Sequence, residues 1–259
     1  MNEGKAATHI VNWMTTYAQN ARAKGFVVGI SGGVDSALTS TLCALTGLEV
    51  TVVSLPIHQK SAELNRAELH IQWLTENFKN VRKVTVELSN TFDEIQKCLP
   101  EASFTHYLAM ANTRSRLRMT ALYAVAQPLS LLVAGTGNKI EDFGVGFYTK
   151  YGDGGVDLSP IADLTKSQVR ALARHLSVPK ELSEAPATDG LWDDGRTDED
   201  QLGATYPELE WAMEYLENKS EELLTNRQKE VIEIYTRLNK QNQHKMNPIP
   251  VCIIPKELL

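Results

Sequence analysis

The residues best suited to chemistry lie in residues 26–36, where an apolar run meets two adjacent glycines and then a helix start. Two glycines let the backbone approach an anion, and the free N–H groups of a following helix favour negative charge. Asp35 adds a carboxylate that can hold Mg²⁺ beside phosphate groups. The segment predicts a phosphate-binding loop, and the alternative is an ordinary strand-to-helix turn. The residues assigned to this loop are Gly29, Ser31, Gly32, Gly33, Val34, Asp35 and Ser36.

A second polar segment, residues 134–142, also follows an apolar run and contains two glycines. Thr136 and Asn138 offer short polar side chains to a bound nucleoside or phosphate, and Glu141 offers a second carboxylate. If the two preceding strands are neighbours, Asp35 and Glu141 can hold one Mg²⁺ against a bound triphosphate. The alternative is that Glu141 or its neighbour merely caps a turn.

The first segment differs from the commonest phosphate loop, because the chain contains no Gly-x-x-x-x-Gly-Lys-Ser/Thr. Its Ser-Gly-Gly-x-Asp-Ser pattern resembles the pyrophosphate loop of enzymes that cleave ATP between the α- and β-phosphates. That group includes NAD synthetase, GMP synthetase, asparagine synthetase and argininosuccinate synthetase. The loop alone does not distinguish among them.

A third segment, residues 143–160, is too glycine-rich for a helix and too aromatic for a flexible linker, so we expect an ordered binding loop. It contains Gly-Phe-Tyr-Thr-Lys-Tyr-Gly-Asp-Gly, and Leu-Thr-Lys-Ser-Gln-Val follows at residues 164–169. The order of these motifs over residues 26–206 resembles the NAD synthetase family.

This resemblance implies ATP-dependent amidation of nicotinic acid adenine dinucleotide by ammonia. The nicotinate carboxylate attacks the α-phosphate of ATP, pyrophosphate leaves, and ammonia displaces AMP from the acyl-adenylate to give NAD. Positioning and electrostatic stabilisation supply the rate gain, because no protein residue becomes covalently attached. Mg²⁺ is the implied cofactor, ATP is the co-substrate, and a homodimer is the implied assembly.

The resemblance also implies residue roles. Asp153 receives ammonium and takes its proton, and Lys166 contacts the phosphates of ATP; by their residue types alone, these two are a turn aspartate and an exposed lysine at a helix start. The implied ligands of ATP and pyrophosphate are the loop residues together with Arg118, Thr136, Lys166 and Thr188. The implied ligands of the dinucleotide are Asn112, Arg116, Phe147, Lys150, Asp153, Asp157, His244 and Lys245.

Three arginines fall within residues 112–118, on a predicted long helix. Residues four apart share a helix face, so Asn112 and Arg116 point one way, and Arg114 and Arg118 point another. The segment suits two phosphate-bearing ligands approached from two sides. A solvated basic face is the alternative.

Composition bounds the function further. The net charge of −6 argues against a general nucleic-acid binder, whose surface would be basic. The three cysteines are far apart, which disfavours disulfide and zinc sites. The chain shows neither a signal peptide nor a long apolar span, so we expect a soluble, cytoplasmic protein. Its 259 residues suggest one synthetase domain over 1–259 with no room for an amidase domain, and therefore direct use of ammonia.

Apolar periodicity places these motifs on an alternating pattern of helices and strands. The predicted strands are one directly before the phosphate loop and others at residues 49–55, 81–88 and 129–134. The predicted helices are one that ends at Lys24–Gly25 and others at residues 37–45, 61–78, 106–127, 166–176, 207–216 and 226–242.

The pattern predicts an α/β fold with a doubly wound, mainly parallel sheet, helices on both faces and a helical C-terminal part. The resemblance implies the adenine nucleotide alpha-hydrolase-like form of that fold. Ligands in such sheets bind at the carboxyl ends of the strands, which places residues 31–36, 56–60 and 135–141 around one crevice.

Two further possibilities remain. The polar segment 184–201 is either a lid that orders on ligand binding or a solvated loop. Rival functions are an ATP pyrophosphatase that adenylates another carboxylate, and a nucleotide-binding protein without catalysis. Loss of one magnesium carboxylate would favour the second rival, but both Asp35 and Glu141 are present.

Overall fold

A four-stranded parallel sheet forms the centre of the protein in a computed structural model, which describes residues 1–185, 187, 197–218 and 223–259. Its strands are β1 Gly25–Gly29, β2 Glu49–Ser54, β3 Val81–Thr85 and β4 Leu131–Val133. Their order in the sheet is β3-β2-β1-β4. All three pairings are parallel, with Gly25 opposite both Glu49 and Leu131. The predicted strands and parallel sheet are therefore confirmed.

Helices pack on both faces of this sheet, and further helices form the C-terminal part of the chain. They are α1 Glu3–Asn20, α2 Val34–Leu45, α3 Ser61–Asn77, α4 Ser89–Cys98, α5 Glu101–Phe104, α6 Tyr107–Ala126, α7 Lys166–His175, α8 Lys180–Ser183, α9 Asp198–Leu202, α10 Tyr206–Asn218 and α11 Asn226–Met246. None of the helices in the described ranges is long and apolar enough to cross a membrane.

Alternating side chains of the buried strands separate two apolar cores, one on each face of the sheet. Phe26 and Val28 of β1 pack with α1, α2 and α7, whereas Val27 packs with α4 and α6. A third apolar cluster joins α10 and α11 and contains Ile140 and Val145. The predicted doubly wound architecture with a helical C-terminal part is thus confirmed.

Local signals explain where several helices begin. Thr165 accepts a hydrogen bond from the backbone N–H of Gln168, and the Gln168 side chain bonds back to Thr165 N, which forms a capping box at the start of α7. Thr225 and Gln228 do the same for α11. Capping of α7 matters for the site because it fixes the position of Lys166, its first residue.

The structure corrects the expected loop character of residues 143–160. Ile140–Val145 forms a π-helix that ends at Gly146 with φ +66°. Ile140 and Val145 are buried against α10 and α11, whereas Phe143 is exposed. Tertiary packing therefore overrides the low helix propensity of the glycines, and the segment is ordered, as expected.

His70 of α3 is a fully buried imidazole whose pKa burial lowers to about 4. Its Nε2 lies 2.9 Å from Ser40 Oγ, which itself donates to the carbonyl of Ser36 at 2.7 Å. Nε2 therefore donates to Ser40 and the ring is neutral. Its Nδ1 has no hydrogen-bond partner among the residues that the structure describes.

Because the folded pKa lies below the ordinary value of 6.5, His70 should destabilise the fold as the pH falls. The unfolded chain binds a proton between pH 6.5 and about 4 that the folded chain does not, and above pH 6.5 the effect vanishes. We expect roughly 3 kcal/mol to be lost across this window. Urea unfolding at pH 7.5 and pH 5 should show a steeper loss for the parent protein than for His70→Gln, and equal pH slopes would contradict this assignment.

Candidate active site

The phosphate loop leaves β1 and enters α2 as the sequence predicts. Ser31 Oγ lies 3.0 Å from Ser36 Oγ and accepts a hydrogen bond from Gly33 N at 3.2 Å. Gly33 is the N-cap of α2, and no side chain caps that helix. The first N–H groups of α2 are therefore available to an anion.

Gly32 has a left-handed backbone with φ +86° and lies directly against α3. A Cβ atom at this position would lie 2.7 Å from the carbonyl oxygen of Glu63. Glycine is therefore required at position 32 both by backbone conformation and by close approach to a neighbouring helix.

The loop lies at the point where the order of the sheet reverses. β2 flanks β1 on one side, and β4, which comes much later in the chain, flanks it on the other. Crevices at such points, outside the carboxyl ends of the strands, are where open α/β sheets bind ligands. A cavity of about 710 Å³ opens at this place.

Most predicted site residues line this cavity. Those assigned to ATP that do so are Gly29, Ser31, Gly33, Val34, Asp35, Ser36, Arg118, Thr136 and Lys166. Those assigned to the dinucleotide are Asn112, Arg116, Phe147, Lys150, Asp153, His244 and Lys245. Glu141, Leu55 and Gln59 line it as well, so the expected convergence of the strand ends is observed. Thr188 and most of the segment 184–201 lie outside the described residues.

Lys166 joins the two predicted metal ligands. Its Nζ donates to Asp35 at 2.6 Å and to Glu141 at 3.0 Å, and its side chain is only 4% exposed. Burial alone lowers the pKa of Lys166, but the two carboxylates raise it above its usual value overall. The ammonium is therefore charged at neutral pH and compensates two carboxylates in one place.

Tyr206, which sequence reasoning missed, completes this cluster from the start of α10. Its hydroxyl donates to Glu141, and its ring centroid lies 4.7 Å from Lys166 Nζ. Burial raises the pKa of Tyr206, and the nearby carboxylates raise it further, so the phenol stays protonated. A tyrosine at a helix start carries no spacing signal that marks it as part of a site 65 residues away.

Asn138 has a different role from the one expected. It is fully buried, its amide nitrogen donates to Asp35 at 3.1 Å, and its amide oxygen accepts from the backbone N–H groups of Ile140 and Glu141. The prediction that Asn138 faces a nucleoside or phosphate is therefore wrong, because internal bonds use its polar groups. It positions both carboxylates instead.

The carboxylate next in the chain, Asp142, packs against Gly137, where a Cβ atom would lie 2.1 Å from Asp142 Oδ2. Burial raises the pKa of Asp142 to about 8, and the charges of Glu141, Asp153 and Asp35 add to the shift. Asp142 is therefore mostly protonated and uncharged at neutral pH.

Asp153 is exposed but held in place. Its Oδ1 accepts from Ser115 Oγ at 2.6 Å and from Thr149 N at 3.0 Å, while Thr149 Oγ1 donates to Asn112 at 2.6 Å. Ser115, on α6, also accepts from Asp153 N at 2.8 Å. The other carboxylate oxygen of Asp153 has no hydrogen bond to any of the described residues. The Asp153 side chain can therefore contact a ligand in the cleft.

Four predicted cations of the cleft bond to neutral carbonyl oxygens. Arg118 Nε donates to Leu55 at 3.1 Å, Arg116 Nε to Lys150 at 3.3 Å, Lys150 Nζ to His244 at 2.6 Å and Lys245 Nζ to Tyr148 at 2.8 Å. Burial, and then Arg114, lower the pKa of Arg118 to about 10, so it remains charged. Because carbonyls do not neutralise these cations, their charge is available to anionic ligands.

Two predicted residues do not join the cleft as expected. The guanidinium carbon of Arg114 lies over the Phe92 ring, 4.5 Å from its centroid, whereas Arg118 lines the cavity. These two arginines therefore contact different parts of the protein. Asp157 is not among the residues that line the cavity. It accepts from Tyr123 at 3.0 Å and from Val133 N at 2.8 Å, and its assignment to the dinucleotide stays a prediction.

The carboxylates could hold a metal together with a ligand. Within the described part of the chain, no three His, Cys, Asp or Glu side chains form a metal-binding group. Asp35 and Glu141 supply the oxygen ligands that Mg²⁺ prefers, and Mg²⁺ is commonly held by one or two carboxylates plus substrate phosphates. The pair therefore fits an ion whose coordination is completed by a nucleotide, and magnesium stays a prediction.

The parallel sheet, the uncapped helix at its switch point and the surrounding cations define a nucleotide-binding α/β protein with a phosphate loop. Residues 6–249 match the sequence model of the NAD synthase family. The chain belongs to this family.

Known proteins similar to the chain agree with this placement. It is 36% identical to the NH(3)-dependent NAD(+) synthetase of Carboxydothermus hydrogenoformans, over 91% of the chain and 92% of that protein. Identity to the Mesoplasma florum protein of the same name is also 36%, over 96% and 95%. These relatives confirm the predicted enzyme class, a ligase that forms a C–N bond.

Two solved structures are similar over nearly their whole length. The NMN synthetase from Francisella tularensis has a TM-score of 0.85 and 31% identity, and the alignment covers 99% of both chains. The NH3-dependent NAD synthetase from Campylobacter jejuni has a TM-score of 0.79 and 25% identity, covering 98% of this chain and 100% of that one. They confirm the predicted fold class.

Proposed function

We propose that the protein amidates nicotinic acid adenine dinucleotide with ammonia, consuming ATP and releasing NAD, AMP and pyrophosphate. The observation that carries this proposal is one cleft, in a member of the NAD synthase family, that contains the phosphate loop, the Lys166 cluster and Asp153. The cleft presents cations for two phosphate-bearing substrates and a carboxylate for the nitrogen donor.

In the first step, the substrate carboxylate attacks the α-phosphorus of ATP. A bond forms between the carboxylate oxygen and phosphorus, and the bond to the bridging oxygen breaks, so pyrophosphate leaves with that electron pair. The N–H groups of α2 and the hydroxyls of Ser31 and Ser36 bind the phosphates. Asp35 and Glu141 would hold Mg²⁺, which when bound neutralises charge on the triphosphate.

In the second step, ammonia attacks the carbonyl carbon of the acyl-adenylate, AMP leaves with the electron pair of the C–O bond, and the attacking nitrogen releases one proton to solvent to give the neutral amide. Ammonium must first lose a proton, and Asp153 is the exposed carboxylate placed to take it. Ser115 and the backbone of Thr149 fix one of its oxygens. The other oxygen faces the nitrogen donor.

The first test supplies ATP, Mg²⁺ and nicotinic acid adenine dinucleotide with either ammonium or glutamine, and follows NAD with a coupled dehydrogenase. We expect NAD with ammonium and none with glutamine. Absence of NAD with both donors would reject the proposed reaction, and equal rates with glutamine would reject direct use of ammonia.

A second candidate is amidation of the nicotinic acid mononucleotide. The similarity to the F. tularensis NMN synthetase favours it, since the alignment spans 99% of both chains with a TM-score of 0.85. This reaction uses the same cleft and the same chemistry with a smaller acyl substrate. Comparison of kcat/KM for the mononucleotide and the dinucleotide decides between them.

We expect Asp153→Asn to block amide formation while acyl-adenylate still forms, because only the second step needs the base. The loss in amide formation should be about 10²- to 10⁴-fold, the usual contribution of a general base. Exchange of labelled pyrophosphate into ATP reports the first step, and product NAD reports both. A normal yield of NAD would remove Asp153 from the mechanism.

We further propose a cytoplasmic homodimer. An aromatic patch beside Asp157 supports the dimer, because Trp13 and Tyr17 stack at 5.6 Å and remain 42% and 39% exposed. Tyr17 also donates to the carbonyl of Asp157 at 3.2 Å. A second copy over this patch would bury it. Light scattering of the purified protein tests the mass.

A further inference from the structure

Arg66 is a cation of the cleft that the motifs do not mark. It lies on α3, and its Nε donates to the carbonyl oxygen of Gly32 at 3.3 Å. Its side chain lines the cavity beside Gln59 and Glu63. Because Gly32 belongs to the phosphate loop, the guanidinium of Arg66 lies at the edge of that loop.

The hydrogen bond of Arg66 does not compensate its charge. Its Nε donates to a neutral carbonyl oxygen, that of Gly32. By contrast, Arg227 on α11 holds Glu208 at 2.8 Å and Glu230 at 2.9 Å. A half-buried guanidinium is partly desolvated, and an anion that binds beside it regains that loss.

The terminal nitrogens of the Arg66 guanidinium are not used by its bond to Gly32. A guanidinium carries five N–H donors, and the bond to Gly32 uses only the one on Nε. The two terminal nitrogens make no hydrogen bond to a described residue, and they form the planar fork that matches two oxygens of one phosphate.

We propose that Arg66 is a pyrophosphate-binding residue, which contacts the β- and γ-phosphates of ATP and holds pyrophosphate as it leaves. This inference rests on the proposed function, because that function cleaves ATP to AMP and pyrophosphate. The uncapped start of α2 and Arg66 of α3 bind the departing anion from two sides of the loop. The cation compensates negative charge that builds on the leaving group.

A purely structural role for Arg66, holding the carbonyl of Gly32 in place, is the competing explanation. Arg66→Gln separates the two, because the amide nitrogen of glutamine occupies the same position along the side chain as Nε of arginine. The variant can keep the bond to Gly32 while it loses the charge and both terminal nitrogens. Lys60→Gln is the matched control, since Lys60 is exposed, precedes α3 and does not line the cavity.

The experiment measures binding of inorganic pyrophosphate with Mg²⁺, and separately of AMP, by calorimetry on the purified full chain. We expect Arg66→Gln to weaken pyrophosphate binding roughly 10- to 100-fold, as loss of hydrogen bonds to a charged group does. AMP binding and the melting temperature should stay unchanged, Arg66→Lys should retain part of the affinity, and Lys60→Gln should match the parent protein.

Unchanged pyrophosphate binding in Arg66→Gln would overturn the inference, as would an equal loss of AMP binding with a lower melting temperature. These outcomes are independent of amide formation. A parent protein that binds pyrophosphate through Arg66 but forms no amide from either nicotinic acid nucleotide would refute only the proposed function.

Discussion

Replacing Lys166 by methionine should abolish turnover and also weaken the fold. Methionine has a similar length but no charge, so Asp35 and Glu141 would face each other in a buried place without a cation. Removing one partner from a buried ion cluster typically costs about 3 to 5 kcal/mol, because the remaining charge is uncompensated. The measurements are NAD formation and the free energy of unfolding in urea.

Two controls separate these effects. Lys180→Met removes a lysine that is 77% exposed and pairs with Glu184 within one helical turn, so we expect a stability change below about 0.5 kcal/mol. The double variant Lys166→Met with Asp35→Asn removes the repulsion between the carboxylates of Asp35 and Glu141. It should recover part of the stability but none of the activity. A Lys166→Met protein with parental stability would show that the cluster does not depend on the ammonium.

Substitution of alanine for Gly32 should have the second largest effect. The methyl group would lie 2.7 Å from the carbonyl oxygen of Glu63, in a backbone conformation with φ +86° that alanine disfavours. Strain of this kind costs about 1 to 3 kcal/mol, and it is relieved only by moving the loop or α3. We expect kcat/KM for ATP to fall by roughly 100-fold or more, since displacement of a positioning group by about 1 Å can cost that much.

Gly47→Ala is the matched control for this prediction. Gly47 also has a positive φ, +73°, but a Cβ atom there meets nothing within 4 Å. It should therefore show the backbone strain without the collision, and it should keep the parental kcat/KM. Equal loss of activity in both variants would mean that close packing of the loop on α3 is not what the enzyme requires.

Local motifs made the core of this site predictable. The phosphate loop lies within consecutive residues, so its glycines, serines and Asp35 could be assigned from their spacing alone. Glu141 follows a strand whose end lies on the ligand-binding edge of the expected parallel sheet, whereas the role of Lys166 came from the family resemblance. The alternation of helices and strands predicts a parallel sheet but does not fix the strand order, which places β4 beside β1.

Residues that act through distant packing were not predictable in the same way. Tyr206 reaches the site only because α10 packs against residues 140–145, and its neighbours in the chain carry no pattern that indicates this. The sequence predicts that Asn138 contacts a ligand, because short polar residues after a strand often do. In the structure its amide nitrogen instead donates a hydrogen bond to the carboxylate of Asp35. The π-helix at Ile140–Val145 likewise depends on apolar contacts with α10 and α11.

The cluster around Lys166 also determines when in folding the site is completed. Asp35 and Lys166 are 131 residues apart in the chain, and Tyr206 is 65 residues beyond Glu141. Contacts of such separation close large loops and form late, whereas the phosphate loop is made by neighbours. A partly folded chain can therefore form the anion-binding loop before the ion pairs of Lys166 are in place. Recovery of catalysis on refolding then reports that these long-range contacts have formed.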